Sequence, residues 1–203
     1  MIKPAHCARD LGVWLDPNLS MKHHVKKTTS SALSYLRVIS RQRHFLNNQS
    51  TSLLLHSLVF TRLDYCSSLL YGINESELSK LQSIINYASR VLMKLKKTDD
   101  ISQVTKTLKW PSMKQKIKHR ICCLVYKILR TGESLPLRNL FKLCSSLVNT
   151  RRTADPLLLS VPAVKTAFGE RSFQRCGARM WNSLSTEVRS LNNYNHLICV
   201  SKG

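Results

Sequence analysis

The chain has 203 residues, of which 43% are hydrophobic and 21% charged, a balance that is ordinary for a globular protein and too apolar for wholesale disorder. This length excludes more than two compact domains. The charges are strongly unbalanced, because 32 lysines and arginines stand against 11 acidic residues and leave a net charge of +21. Such a field attracts polyanions, either nucleic acids or anionic lipid surfaces.

The hydropathy pattern disfavours a membrane or secreted protein. No stretch approaches the ~20 apolar residues that would span a bilayer, and the N-terminal sequence MIKPAHCARD lacks the apolar core of a signal peptide. The seven cysteines lack the spacing of a small disulfide scaffold, so we expect free thiols. The sequence therefore predicts an intracellular protein, nuclear or cytoplasmic, without a membrane partner.

The first elements in chain order are a strand and a basic helix. The apolar run from Leu11 to Leu15, closed by Asp16-Pro17-Asn18, predicts a short strand without a partner. Ser20 is predicted to cap a helix that runs to about Arg43. One face of this helix is apolar, and the basic residues lie largely elsewhere: Lys22, Lys26, Lys27, Arg37, Arg41 and Arg43.

Four further helices are predicted. One runs from Asn48 to Gly72, and the clearest periodicity, from Leu78 to Leu95, follows Asn74. A short helix covers 101–108, and Ser112 caps a longer helix. From about 149, prolines and alternating apolar residues predict a loop and a small hairpin, followed by a last helical stretch around 181.

Four motifs occur in a fixed order. They are LGVWLD at 11–16 (with Leu19-Ser20 and His24-Val25), TRLDYCSSLLYG at 61–72, LQSIINYASR at 81–90, and GERSF at 169–173 with ARMWNSL at 178–184. Each is weak alone, but their order and spacing resemble the non-LTR (LINE-type) retrotransposon reverse transcriptases, particularly the clades grouped around CR1 and L2. The resemblance covers roughly residues 8 to 190.

This resemblance implies a chain that starts at the last strand of the polymerase palm. The implied fold is mainly α: a remnant of the palm at 1–17, a thumb-like helical bundle at 18–147, and a small mixed α/β appendage with a tail at 148–203. Leu11, Gly12 and Val13 resemble the strand that grips the primer. The six basic residues of the first helix are then expected to contact the nucleic-acid backbone, which fixes position without reading sequence.

The same resemblance implies that the chain is not an enzyme by itself. Polymerases transfer nucleotides with two metal ions held by palm carboxylates, and the family's paired aspartates and upstream aspartate have no counterpart here. We expect no catalytic residue, metal or cofactor. The adjacent carboxylates Asp99 and Asp100 are interpreted as a helix cap. The sequence also departs from the family at Lys109-Trp110-Pro111-Ser112, where a leucine is missing, and in its last residues, which suggests a decayed copy or an altered end.

Alternative interpretations remain for several features. His119 and Cys122 stand three apart on a predicted helix, but structural zinc needs four ligands and the chain has no CxxC, so buried cysteines are favoured. His23 and His24 are interpreted as part of a solvated basic face. The competing functional hypotheses are a domesticated or incidental protein-interaction module, whose partner is unknown, and a reading frame that is never usefully translated.

Overall fold

The structure is a computed structural model that describes residues 6–96, 98–131, 135–144 and 156–190. The fold is mainly α with one short two-stranded sheet near the N-terminus, so the predicted fold class is confirmed. Within the described residues, no helix combines the length and the apolar character needed to cross a membrane. The chain divides into two compact units, Met1–Lys116 and Ile117–Gly203.

The N-terminal strand has a partner, contrary to the sequence prediction. Strand β1 (Ala8–Asp10) pairs antiparallel with β2 (Val13–Leu15), with Ala8 opposite Leu15. Leu11 and Gly12 form the turn with φ of 43° and 86°, as the two-residue turns that match the twist of a hairpin require. The sequence Ala8-Arg9-Asp10 shows no apolar alternation, so the pattern could not reveal this strand.

Helix α1 (Lys22–Gln42) is the central element of the first unit, because it packs against β2, against the helical segments at 55–64 and against the helix at 75–93. Its predicted apolar face is buried, and it consists of Val25, Ala32, Leu36 and Ile39. The predicted cap is wrong, since Met21, with φ of 60°, is the N-cap and has no side-chain hydrogen bond. Asp16 closes this turn instead, and its carboxylate accepts from the backbone N–H groups of Ser20 (2.9 Å) and Met21 (3.0 Å).

The second predicted helix is interrupted. Asn47 caps it, accepting from the N–H of Ser50 at 2.7 Å. It consists of α2 (Asn48–Leu54), a π-helical segment (Leu55–Phe60) and α3 (Thr61–Asp64) in succession. The wider turn of a π-helix lets two consecutive residues, Val59 and Phe60, both face the core. The chain then turns at Cys66, in the left-handed region, into a 3₁₀ turn, so the helix ends well before Gly72.

Helix α4 (Glu75–Met93) confirms the clearest periodicity in the sequence. It packs against α1 and α2 through a stripe of buried residues that includes Leu81, Ile84, Ile85, Ala88, Val91 and Leu92. Helix α5 (Ser102–Leu108) follows as predicted and packs against α4.

Helix α6 (Met113–Thr131) starts in the first unit and continues in the second. Its predicted cap is confirmed as a reciprocal pair. The N–H of Ser112 donates to Gln115 Oε1 at 2.8 Å, and the N–H of Gln115 donates to Ser112 Oγ at 3.3 Å. This arrangement satisfies two N–H groups that the helix leaves without partners.

The second unit also contains α7 (Leu135–Arg138), α8 (Ala167–Arg171), α9 (Phe173–Asn182) and α10 (Thr186–Ser190). Trp181 is fully buried, and its Nε1 donates to the carbonyl of Leu157 at 2.7 Å. Gly177 sits where a Cβ would lie 2.9 Å from Val125 Cγ2, so α9 packs here without a side chain. In place of the predicted hairpin, the described residues show an isolated antiparallel bridge between Leu143 and Leu159.

The predicted boundary near 147 lies outside the described residues. The division between the two compact units falls earlier, within α6. The three-part organisation into 1–17, 18–147 and 148–203 therefore stays a prediction.

Candidate nucleic-acid interface

An open groove of about 380 Å³ lies in the first unit, between the β1–β2 hairpin, α1 and the end of α3. We call it the hairpin groove, and its lining residues are Arg9, Gly12, Trp14, His24, Lys27, Thr28, Ser31, Thr61, Arg62 and Tyr65. Three are permanent cations, two have large aromatic rings, and four carry hydroxyls, one of them the tyrosine. None of these lining residues is a carboxylate, although the chain has eleven acidic residues. The groove is therefore an anion-attracting surface with aromatic faces.

Trp14 lies between two of the cations. Arg9 stands opposite Trp14 in the hairpin register, and its guanidinium carbon is 6.0 Å from the centroid of the indole ring. Lys27 reaches the ring from α1, with Nζ 5.9 Å from the centroid. His23 contacts the indole edge-on at 4.9 Å between centroids. A half-buried aromatic ring flanked by charges is the combination that proteins use to stack bases and hold phosphates of single strands.

Tyr65 and Arg62 form the opposite wall. The Tyr65 hydroxyl donates to the carbonyl of Leu11, which ties the hairpin tip to the end of α3. A Cβ at Gly12 would lie 3.4 Å from the Tyr65 ring, so glycine allows this close approach. Arg62 is held by Ser31 Oγ (3.2 Å from Nε) and lies 4.0 Å over the ring of Tyr35. Both side chains are fixed before any ligand binds.

His24 contributes no charge to the groove near neutral pH. Burial lowers the pKa of His24 below its ordinary value of 6.5. The ring is therefore neutral at pH 7, and its Nδ1 accepts a long hydrogen bond of 3.5 Å from the N–H of Trp14. The positive charge of the groove comes from Arg9, Lys27 and Arg62.

Five of the six predicted basic residues of α1 are exposed: Lys22, Lys26, Lys27, Arg37 and Arg41. At about 100° per residue, four of them, Lys22, Lys26, Arg37 and Arg41, fall within one sector of about 100° on the side away from the buried residues. We call these four residues the α1 basic stripe. Lys27 lies about 40° outside this sector and lines the hairpin groove, so it stands between the stripe and the groove.

Arg43, the sixth basic residue predicted to contact the nucleic-acid backbone, has a different role. Its side chain is only 7% exposed, and its guanidinium donates to the carbonyls of Val91 (2.9 Å), Leu92 (2.8 Å) and Leu46 (2.6 Å), and to Asn48. Val91 and Leu92 lie in the last turn of α4, where carbonyls have no partner within the helix. Arg43 therefore stabilises the end of α4, and its donors are not available to a phosphate.

The three residues that were predicted to resemble a primer grip differ in their solvent exposure. Leu11 and Gly12 are exposed at the hairpin tip, and Gly12 lines the groove. Val13 is 4% exposed and belongs to the core. The buried side chain of Val13 anchors the hairpin, and the resemblance of these three residues to a primer grip stays a prediction.

The charged and aromatic lining residues that were not predicted as site residues are Arg9, Trp14, Arg62 and Tyr65. Three of them stand inside the quoted motifs, but nothing local marks them as neighbours in space. They meet because the hairpin packs on α1 and because the π-helical segment and α3 bring Tyr65 back to the hairpin tip. The indication that the sequence offered for this contact was the presence of Gly12 and Tyr65 in those motifs.

Both adjacent carboxylates accept hydrogen bonds from the backbone, but only Asp100 contacts the start of a helix as predicted. Asp100 Oδ1 accepts from the N–H of Ser102, the first residue of α5, at 2.9 Å, and this hydrogen bond is the main reason why the pKa of Asp100 is lowered. Asp99 Oδ2 accepts from the N–H of Lys96 at 2.8 Å. Across the described ranges, no three His, Cys, Asp or Glu side chains are grouped so that they could hold a metal ion.

The His119 and cysteine cluster of α6 is mostly buried. His119 Nε2 lies 3.5 Å from the Sγ of Cys123, not from that of Cys122. Burial raises the pKa of the Cys122 thiol to about 11, so it is protonated at neutral pH. These contacts agree with the interpretation of buried cysteines.

No family model, curated protein or solved structure matches this chain. The resemblance to non-LTR reverse transcriptases therefore rests on the four sequence motifs, and the candidate interface rests on its own geometry.

Proposed function

We propose that this chain binds nucleic acid through the sugar-phosphate backbone, without sequence preference, and that the hairpin groove and the α1 basic stripe form the binding surface. We further propose that it is a catalytically incomplete derivative of a non-LTR retrotransposon reverse transcriptase. The observation that carries the first part is the groove, in which Arg9 and Lys27 flank Trp14 and no lining residue is acidic.

The composition of the groove favours this proposal over a basic surface that only keeps the protein in solution. A solvated face needs charges but no aromatic ring among them. Here Trp14 and Tyr65 line the same groove as three cations. Bases stack on aromatic faces whatever their sequence, and phosphates bind the cations beside them. The basic stripe extends this surface along about 28 Å of α1, from Lys22 to Arg41.

The competing hypothesis is a helical protein-interaction module. It is favoured by three exposed apolar side chains of the first unit, Val38, Phe45 and Leu53, which are 58%, 78% and 69% exposed. None of these three residues lines the hairpin groove. The two hypotheses therefore differ in which substitutions abolish binding.

The salt dependence of binding tests the proposal. Replacing Lys22, Lys26 and Lys27 by glutamine removes three cations but leaves the buried face of α1 unchanged. If all three contact phosphates, a plot of log K against log salt for an RNA–DNA hybrid flattens by about 2–3 units, because each contact contributes about 0.7–0.9. Fluorescence anisotropy across a range of salt concentrations measures the slope.

The matched control replaces Lys96, Lys109 and Lys114, three exposed lysines of the same unit that do not line the groove. The net charge falls by the same amount in both variants. Equal slopes in the two variants contradict the proposed surface and leave only the diffuse attraction of a basic chain.

The second part of the proposal concerns catalysis and location. Because the family's metal-binding aspartates have no counterpart and Asp99 and Asp100 bind backbone N–H groups, we expect no primer extension with Mg²⁺ or Mn²⁺. A primed RNA template and labelled nucleotides provide the assay. Extension that is lost in the double variant Asp99→Asn, Asp100→Asn contradicts this expectation. An intracellular location, where nucleic acid is accessible, belongs to the same proposal.

A further inference from the structure

A second cavity in the first unit has a different character from the hairpin groove. It has a volume of about 570 Å³ and lies between the C-terminal half of α1 and that of α4. We call it the α1–α4 pocket, and its lining residues are Ser40, Arg43, Tyr87, Arg90, Val91, Lys94 and Leu95. Three are cations and none is a carboxylate. This volume lies within the range of about 300–1,000 Å³ that is common for small-molecule sites.

Arg90 is the central polar group of this pocket. Its Nε is buried and has no hydrogen-bond partner in the part of the chain that the structure describes. A buried guanidinium N–H without an acceptor is unfavourable, and most buried donors in folded proteins are paired. Arg90 also lines the cavity, which is large enough to hold an acceptor for its guanidinium group.

The other charged residues around the pocket do not occupy the guanidinium group of Arg90, which therefore stays available to a ligand. Arg43 already donates to the carbonyls of Val91 and Leu92, but its charge still adds to the positive field. Asp100 is close enough for the charge of Arg90 to contribute to its lowered pKa, but its carboxylate accepts from Ser102 and forms no ion pair with Arg90 in the described residues. Lys94, the C-cap of α4, is exposed at the rim.

Tyr87 adds an aromatic surface to one wall, one turn before Arg90 on α4. Val91 and Leu95 supply apolar contact on the same side. A cation pair, an aromatic ring and aliphatic walls together match a ligand that has a phosphate at one end and a planar ring at the other. Guanidinium and ammonium groups both bind phosphate oxygens with charge-assisted hydrogen bonds.

We infer that the α1–α4 pocket binds the phosphate monoester of a nucleotide, with the phosphate at Arg90 and Lys94 and the base against Tyr87. This inference does not depend on the hairpin groove, because the two cavities share no lining residue. The phosphate belongs either to a free mononucleotide or to the 5′ end of a nucleic-acid strand.

Calorimetric titration of the whole chain with AMP and with adenosine tests the inference. Measurements at about 0.15 M salt, where the screening length is about 8 Å, suppress the diffuse field of the chain. We expect AMP to bind and adenosine to bind at least about tenfold more weakly, because adenosine lacks the charge-assisted hydrogen bonds. Arg90→Gln should weaken AMP binding by the same factor.

Lys94→Gln and Lys96→Gln form a matched pair on the same exposed segment. Only Lys94 lines the pocket, so Lys94→Gln should weaken AMP binding and Lys96→Gln should not. This pair keeps the inference testable if Arg90→Gln fails to fold, which circular dichroism reveals. Equal effects of the two lysine variants, or equal binding of AMP and adenosine, overturn the inference.

A pair of oligonucleotides distinguishes the two sources of phosphate. If a strand end is the ligand, a 5′-phosphorylated oligonucleotide binds more tightly than its 5′-hydroxyl form, and AMP competes for the difference. If a free nucleotide is the ligand, the two oligonucleotides bind equally and AMP still binds. Either result supports the shared chemistry, and absence of AMP binding together with equal oligonucleotides contradicts it.

Discussion

Arg43 illustrates how one position on a helix decides the role of a charged residue. At about 100° per residue, Arg43 lies at the same angle around α1 as Val25 and close to Leu36, whereas the exposed basic residues lie on the other side. The side chain therefore enters the protein, where the carbonyls at the end of α4 accept its hydrogen bonds. The helical angle was available from the sequence, but the carbonyl partners, 48 and 49 residues away, were not.

We predict that Arg43→Ala destabilises the protein, although Arg43 is one of many cations. The substitution leaves buried carbonyls without donors and removes charge-assisted hydrogen bonds, which costs about 2–4 kcal/mol of unfolding free energy. Urea denaturation followed by circular dichroism measures the loss. Arg41→Ala, which removes the same charge from an exposed site two residues earlier, should change the unfolding free energy by less than about 0.5 kcal/mol. Equal losses would show that Arg43 has no special structural role.

Trp14 is the residue that separates base stacking from charge attraction. Its ring lies between Arg9 and Lys27 in the hairpin groove. We predict that Trp14→Leu weakens binding of a single-stranded oligonucleotide by about 1–3 kcal/mol, roughly 5- to 150-fold, because the stacking face is lost while every cation remains.

Anisotropy titrations with poly-pyrimidine single strands measure this effect. Trp14→Phe retains an aromatic face and serves as the control, with affinity between those of Trp14→Leu and the unchanged protein. The melting temperature of each variant shows whether the hairpin is intact. An unchanged affinity in Trp14→Leu would assign binding in the groove to charge alone.

At the scale of elements, the sequence predicted what depends on local periodicity. Helix α4 follows its apolar spacing of three and four residues, and α6 begins at a capping pair three residues apart. The apolar face of α1 was also predicted correctly. Each of these features is determined by residues that are close in the chain, so a single sequence contains the necessary information.

The elements that form the candidate site depend on distant residues. Strand β1 has no apolar pattern and is ordered by pairing with β2. The π-helical segment Leu55–Phe60 breaks the 3.6-residue period that predicted a continuous helix. The hydrogen bond between Tyr65 and the carbonyl of Leu11 joins residues 54 positions apart. The groove is therefore formed by tertiary packing. Of its components, only Gly12 and the basic face of α1 were predicted from the sequence.

At the scale of the molecule, the net charge of +21, the buried His24 and the more exposed His56 act in the same direction on acidification. Burial lowers the pKa of both His24 and His56 below 6.5, and for His56 the neighbouring Lys116 adds to the lowering while Asp64 opposes it. Protonation of either ring in the folded state adds positive charge to a chain that already repels itself. The unfolded chain accepts these protons more readily than the folded one.

We therefore predict that the unfolding free energy is highest above pH 6.5 and falls as the pH decreases through the window between 6.5 and the lower folded-state pKa values. The sign follows because the unfolded state binds more protons in this window, so stability rises with pH. Asp16, whose pKa is lowered from 3.8 mainly by the N–H of Ser20, contributes a separate loss at lower pH. Urea denaturation at half-unit steps of pH measures the profile.

The double variant His24→Gln, His56→Gln should flatten this profile, since glutamine does not titrate and can still accept from the backbone N–H of Trp14. Stability that increases on acidification, or a profile that the double variant does not alter, would show that the lowered pKa values of these two histidines do not control the acid sensitivity of the fold.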